Sequence, residues 1–147
     1  MTTRVERFVD TNVLLAATAA VRPGHVEALA FLESGFGDRT LFLSGQVIRE
    51  YLSVATRPAT VNGLGLAQKD ALANVRQFLD RSHYLREDEA VRDALVGLLA
   101  AVPCLGKQVH DANIAATMMA HHVFKLATLN PADFTRFAAW IEVTGVG

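Results

Sequence analysis

Arg7-Phe8-Val9-Asp10-Thr11-Asn12-Val13-Leu14-Leu15 decides how the rest of the chain is read. An apolar pair runs straight into Asp10, two small hydrogen-bonding residues follow, and an alanine-rich helical pattern begins at once. This is the pattern of a buried strand that ends in an aspartate, with a helix leaving behind it. In an open α/β sheet, ligands bind in the crevice outside the carboxyl ends of the strands. Asp10 therefore falls where chemistry is expected.

Outward from that stretch, strand and helix patterns alternate. Strands are predicted at 5–10, 40–44, 83–85, 124–129 and 140–143. Helices are predicted at 12–20, 25–35, 45–57, 67–81, 88–101 and 109–122, with a short one opening at Asn130-Pro131. Arg22-Pro23-Gly24 and Gly35-Phe36-Gly37-Asp38 read as turns, and 58–66 and 103–108 as loops. Alternation of this kind predicts a three-layer α/β/α sandwich around a central, mostly parallel sheet. The chain has 147 residues and shows no repeat or linker, so one domain over 1–147 is expected.

Composition narrows the function. The formal charge is −1, which argues against nonspecific coating of DNA. Most of the 14 basic residues are arginines, whose planar fork suits phosphate. A lone Cys104 rules out an intrachain disulfide and fits a reducing compartment. Met1 to Arg7 lacks the apolar core of a signal peptide, and the apolar run 94–106 is too short to span a bilayer. These features predict a cytoplasmic protein with no membrane partner. The apolar content is slightly above the average for globular chains, which points to a surface covered by a second chain.

Four acids mark candidate chemistry. Asp10 lies behind the first strand, Glu50 at the edge of the apolar stripe of the third helix, Asp111 among Ile114, Ala115 and Met118 on the sixth, and Asp133 in the last short helix. Each has an ordinary reading. Asp10 or Asn12 can cap the next helix, Glu50 can pair with Arg49 or Arg57, and Asp111 can cap its helix. Asn130-Pro131 with Asp133 is a normal helix start. Together, however, all four sit in or just beyond strand-to-helix passages, where carboxylates from distant segments converge on one edge of the sheet. Converging carboxylates raise one another's pKa. A divalent cation removes that penalty, and an all-oxygen set suits Mg²⁺ or Mn²⁺. No nucleophile elbow or phosphate-binding glycine loop competes. A phosphohydrolase using Asp10 as nucleophile would want a second Asp two residues on, and Asn12 stands there.

Phe8-Val9-Asp10-Thr11-Asn12, Gln46-Val47-Ile48-Arg49-Glu50-Tyr51, His110-Asp111-Ala112-Asn113-Ile114-Ala115 and Thr128-Leu129-Asn130-Pro131-Ala132-Asp133-Phe134 resemble the four motifs of PIN-domain ribonucleases, more narrowly the VapC toxins of toxin–antitoxin pairs. They occur in family order, with 40 residues from Asp10 to Glu50 and 61 from Glu50 to Asp111. The resemblance implies a Mg²⁺- or Mn²⁺-dependent endoribonuclease, a homodimer and inhibition by a cognate VapB-type antitoxin. By position it implies that Asp10, Glu50 and Asp111 bind metal, that Thr11 and Asn12 orient Asp10, and that Thr128 supports the site. Asn130 stands where many members carry Asp, and Asp133 is the nearest carboxylate. Arg49, Arg57, Lys107 and His110 are candidates for gripping RNA phosphates, and a single-stranded loop is the expected substrate. The competing expectation is a PIN-like module that binds RNA or a partner without cutting it.

Overall fold

A computed structural model describes residues 4–147, so the first three residues of the expected domain, and of the segment examined for a signal peptide, lie outside the described residues. Five short strands, β1 (Arg7–Val9), β2 (Leu41–Ser44), β3 (His83–Leu85), β4 (Lys125–Ala127) and β5 (Glu142–Thr144), form one sheet in the order β3-β2-β1-β4-β5. Every pairing is parallel, so the sheet is wholly rather than mostly parallel. The chain moves from β1 through β2 to β3, then crosses back to β4 on the other side of β1. The point where the direction reverses therefore lies between the ends of β1 and β4, which is where a doubly wound sheet opens its crevice.

Six helices cover the sheet: α1 (Thr11–Thr18), α2 (His25–Asp38), α3 (Gly45–Thr56), α4 (Gln68–Arg81), α5 (Glu89–Ala101) and α6 (Gln108–Ala120). Right-handed crossovers put α1 to α4 on one face and α5 and α6 on the other. The contacts agree, since α1 packs on α2 and α3, α3 on α4, and α5 on α6. Phe8, Val9, Leu43 and Leu126 are fully buried between the layers. Each such side chain stabilises the fold by roughly 1.5–3 kcal/mol. Tyr51 of α3 is also fully buried; its hydroxyl meets Thr18 Oγ1 at 2.9 Å and accepts from Asn74 Nδ2 at 3.1 Å, joining α1, α3 and α4.

Two local expectations, the turn at 35–38 and the start of the closing strand, are corrected, and two others gain detail. Gly35 to Asp38 is not a turn but the end of α2, which stops at Arg39 in the left-handed region (φ 55°). Gly35 is there for packing: a Cβ on it would lie 2.6–2.7 Å from three side-chain atoms of Leu41. Segment 58–66 contains a 3-10 turn at Ala59–Val61 and is tied back to α3 by Leu64 N–H to Val54 O and Leu66 N–H to Ala55 O. The last helix is a 3-10 turn over Pro131–Phe137, and the closing strand begins at Glu142 rather than Trp140. Trp140 and Ile141 are held in that turn by backbone bonds to Phe137 O.

Candidate active site at the carboxyl edge of the sheet

Asp10 follows β1 directly and caps α1, its Oδ1 accepting from Thr11 N–H at 2.8 Å. The capping reading of Asp10 therefore holds, but it uses only one of the two carboxylate oxygens. Oδ2 accepts from Thr128 Oγ1 at 2.8 Å, across the switch point from the end of β4. Asn12 closes the same crevice. Its Nδ2 donates to Thr128 Oγ1 at 3.2 Å and its Oδ1 accepts from Leu129 N–H at 3.1 Å. Thr128 Oγ1 also accepts from Asn130 N–H at 3.1 Å.

Glu50 comes from the second turn of α3, beside α1 in the same layer. Its Oε2 accepts from Thr11 Oγ1 at 2.8 Å, and its Oε1 from Gln46 Nε2 at 2.9 Å. Thr11 thus bridges the two acids, its amide on Asp10 and its hydroxyl on Glu50. Asp111 lies in the first turn of α6, whose N-cap is Lys107, so it does not cap that helix.

Two of the four acids, Asp10 and Asp111, have carboxyls shifted by their surroundings. Burial pushes the Asp10 carboxyl up to about 6, the hydrogen bonds from Thr128 and Thr11 oppose this, and the charges of Glu50 and Asp111 raise it further. Burial likewise raises Asp111 to about 6, followed by the charge of Asp133 and then Glu50; Arg136 and His110 pull it down. In both, burial is the larger cause and the charge of nearby carboxylates adds to it. The separations are nevertheless open. Among the described residues, no three His, Cys, Asp or Glu side chains stand close enough to enclose an ion by themselves.

A magnesium-like cation fits this donor set in one manner. Each of the four oxygens of Asp10 and Glu50 accepts one hydrogen bond and keeps a free lone pair. Mg²⁺ characteristically keeps several waters and binds through one or two carboxylates rather than a full protein cage. Asp10 and Glu50, bridged by Thr11, would offer such an ion its carboxylates, while Asp111 adds its charge to the same edge. Asn130 begins the 3-10 turn without a side-chain cap bond, whereas Asp133 acts on Asp111 through its charge.

The phosphate-gripping candidates separate. The side chain of Arg49 is 69% exposed and pairs with Glu87 at 3.8 Å. Lys107 and His110 are exposed at the start of α6, where the His110 carbonyl accepts from Gln46 Nε2 at 2.9 Å. Arg57 follows the far end of α3, seven residues beyond Glu50 and so roughly 10 Å further along the helix axis. A cleft of about 790 Å³ lined by Arg4, Arg7, Phe31 and Thr40 opens at the opposite end of the strands, remote from the acids.

Three participants escaped the sequence reading. Gln46 is buried, Asn113 Nδ2 donates to Gln46 Oε1 at 2.7 Å, and Glu87 accepts from both. Glu87 stands just past β3, at the same carboxyl edge as Asp10.

Comparison with known proteins resolves the family. The family model described as the PIN domain matches residues 7–139. The chain belongs to the PIN-domain family. Within that family it is similar to ribonuclease VapC48 of Mycobacterium tuberculosis, 33% identical over 131 residues that cover 87% of this chain and 89% of the relative. Ribonuclease VapC24 of the same organism is 31% identical over 144 residues, covering 95% of this chain and 98% of the relative. This PIN domain is thus one of the VapC ribonucleases. Its fold matches that of VapBC2 from Rickettsia felis, solved bound to a fragment of promoter DNA, with a TM-score of 0.71 and 16% identity over 96% of this chain and 98% of that one. It also matches M. tuberculosis VapC20, described as a sarcin-ricin loop cleaving toxin, with a TM-score of 0.68 and 16% identity over 92% and 96%.

Proposed function

We propose that this chain is an endoribonuclease toxin that hydrolyses RNA with a divalent cation, Mg²⁺ or Mn²⁺, and is neutralised by a VapB-type antitoxin. What supports the cation-dependent part is the bridge that Thr11 makes between Asp10 and Glu50, together with the charge of Asp111 acting on Asp10. When bound, the cation lowers the pKa of a coordinated water and neutralises charge building on the phosphate.

The chain's own residues supply the rest. Thr11 and Thr128 hold Asp10 in one orientation, and Thr11 and Gln46 do the same for Glu50. Asp111 adds its charge from α6, in the other layer, where Asp133 and Arg136 act on it with opposite signs. Lys107 and His110, at the exposed start of the same helix, are the phosphate contacts, and Arg49 becomes one if it leaves Glu87. Water attacks rather than the ribose 2′-hydroxyl, so the cut RNA carries a 5′-phosphate. An open edge without a deep cleft suits a splayed single-stranded loop, whose bases are unstacked. Among the described residues, no helix is long and apolar enough to cross a membrane. The reading includes a single domain, a homodimer and action in the cytoplasm.

The test is cleavage of structured RNA by antitoxin-free protein. Cutting is expected with Mg²⁺ or Mn²⁺, to cease in EDTA, and to leave 5′-phosphate ends. Cleavage that persists in EDTA, or 2′,3′-cyclic phosphate ends, would overturn the mechanism. RNA binding without cutting in either condition would favour the non-catalytic module.

A further inference from the structure

We infer that Glu87 is a positioning residue for Glu50, acting through Gln46 and Asn113, and thereby sets the cation affinity of the site. This inference rests on the cation-dependent reading above and extends it to a residue outside the four motifs.

Glu50 sits on a helix surface, and a glutamate there has three side-chain torsions to fix. Thr11 restrains one carboxylate oxygen and Gln46 the other. Gln46 is itself one turn earlier on α3 and is 4% exposed. Every polar group it has is engaged. Its Nε2 donates to Glu50 Oε1 and to the His110 carbonyl, both at 2.9 Å, and its Oε1 accepts from Asn113 Nδ2 at 2.7 Å. Its backbone N–H donates to Glu87 Oε1 at 3.3 Å. Asn113 Nδ2 reaches the same Glu87 oxygen at 3.4 Å.

Glu87 is therefore the acceptor on which α3 and α6 meet. One oxygen receives the first turn of α3 and the second turn of α6; the other pairs with Arg49 at 3.8 Å. Glu87 lies at the surface, but its side chain is only 26% exposed because it turns inward onto these donors. Its place just beyond β3 means that three different strand-to-helix passages, after β1, β2 and β3, supply carboxylates to one network. Without Glu87, Asn113 loses one of two acceptors and the amide of Gln46 loses its partner. The Gln46 side chain is then freer to turn, and Glu50 Oε1 loses its fixed donor. Groups that hold a metal-binding carboxylate in this way typically change metal affinity by ~10–100-fold when removed.

The experiment measures Mn²⁺ affinity by electron paramagnetic resonance, together with kcat and KM for RNA cleavage, on purified full-length protein. Glu87→Ala and Gln46→Ala are each expected to weaken Mn²⁺ about 10-fold and to lower kcat with little change in KM. The double variant is expected to lose no more than the worse single one, because both act through one chain of bonds. Glu87→Gln keeps an acceptor oxygen for Gln46 and Asn113 and should restore most of the affinity. It also provides the folded comparison if Glu87→Ala melts early. Unchanged Mn²⁺ affinity in Glu87→Ala, or additive losses in the double variant, would overturn the inference. Asp10→Asn serves as the separate control: if it too leaves Mn²⁺ binding intact, the cation-site reading itself fails, whatever Glu87 does.

Discussion

Replacing Asp10 by Asn should make the cation-free protein more stable at neutral pH. The folded environment raises this carboxyl from 3.8 to about 6, chiefly through burial. A raised carboxylate pKa means that the native state holds its proton more tightly than the unfolded chain. Stability is then greatest below about 4 and is lost as pH rises through about 6. Above that window, the ionised group costs about 3 kcal/mol, taking ~1.4 kcal/mol per unit. Asparagine has nearly the same shape and no charge. It still accepts from Thr11 N–H, but its amide faces the Thr128 hydroxyl, and that lost bond costs ~1 kcal/mol. The net gain is about 2 kcal/mol, or roughly 4–8 °C in melting temperature for a chain of this length. The assay is thermal unfolding of both proteins in EDTA at pH 7.5 and again near pH 4.5. The variant should melt higher at pH 7.5, and its advantage should vanish or reverse at the lower pH as wild-type Asp10 takes up its proton. Carboxylates remote from Asp10 titrate alike in both proteins and cancel in the difference. A variant that melts well below wild type at pH 7.5, or a difference that does not move with pH, would refute the reasoning.

Other perturbations test separate parts of the structure. At limiting Mg²⁺, RNA cleavage should fall on the acid side of about pH 6, where Asp10 and Asp111 protonate as a coupled set, and the fall should move to lower pH at saturating Mg²⁺; a pH–rate profile at two Mg²⁺ concentrations reads this directly. Gly35→Ala should destabilise by about 1–3 kcal/mol in denaturant unfolding, since its methyl group must displace Leu41 in a close-packed core. Tyr51→Phe should cost about 1–2 kcal/mol in the same assay, because Asn74 and Thr18 each lose a partner.

The fold was legible because strand and helix periods differ and because Pro and Gly punctuate them. The placement of Asp10, Glu50 and Asp111 at or beyond the strand ends was legible for a related reason. In a parallel sheet every strand-to-helix passage leaves at the same edge, so order along the chain predicts where those residues meet. What escaped reading depended on contacts between segments far apart in the chain. Gly35 carries the signature of a turn, but it is glycine because α2 passes close over Leu41 of the next strand. Asn113 falls on the polar side of α6, away from Asp111, by helical periodicity. Only the packing of α6 beside α3 turns that polar side toward Gln46, 67 residues earlier. Glu87 looks like one charge in the run Arg86-Glu87-Asp88-Glu89, and nothing local sets it apart from its neighbours.

The most direct measurement is Mn²⁺ binding to the wild type and to Asp10→Asn, Glu50→Gln and Asp111→Asn, each shown to be folded. Acids that lie 40 and 61 residues apart in the chain and share one ion should fail together, with every single variant losing most of the wild-type affinity. Undiminished binding in any two of the three would contradict a shared site.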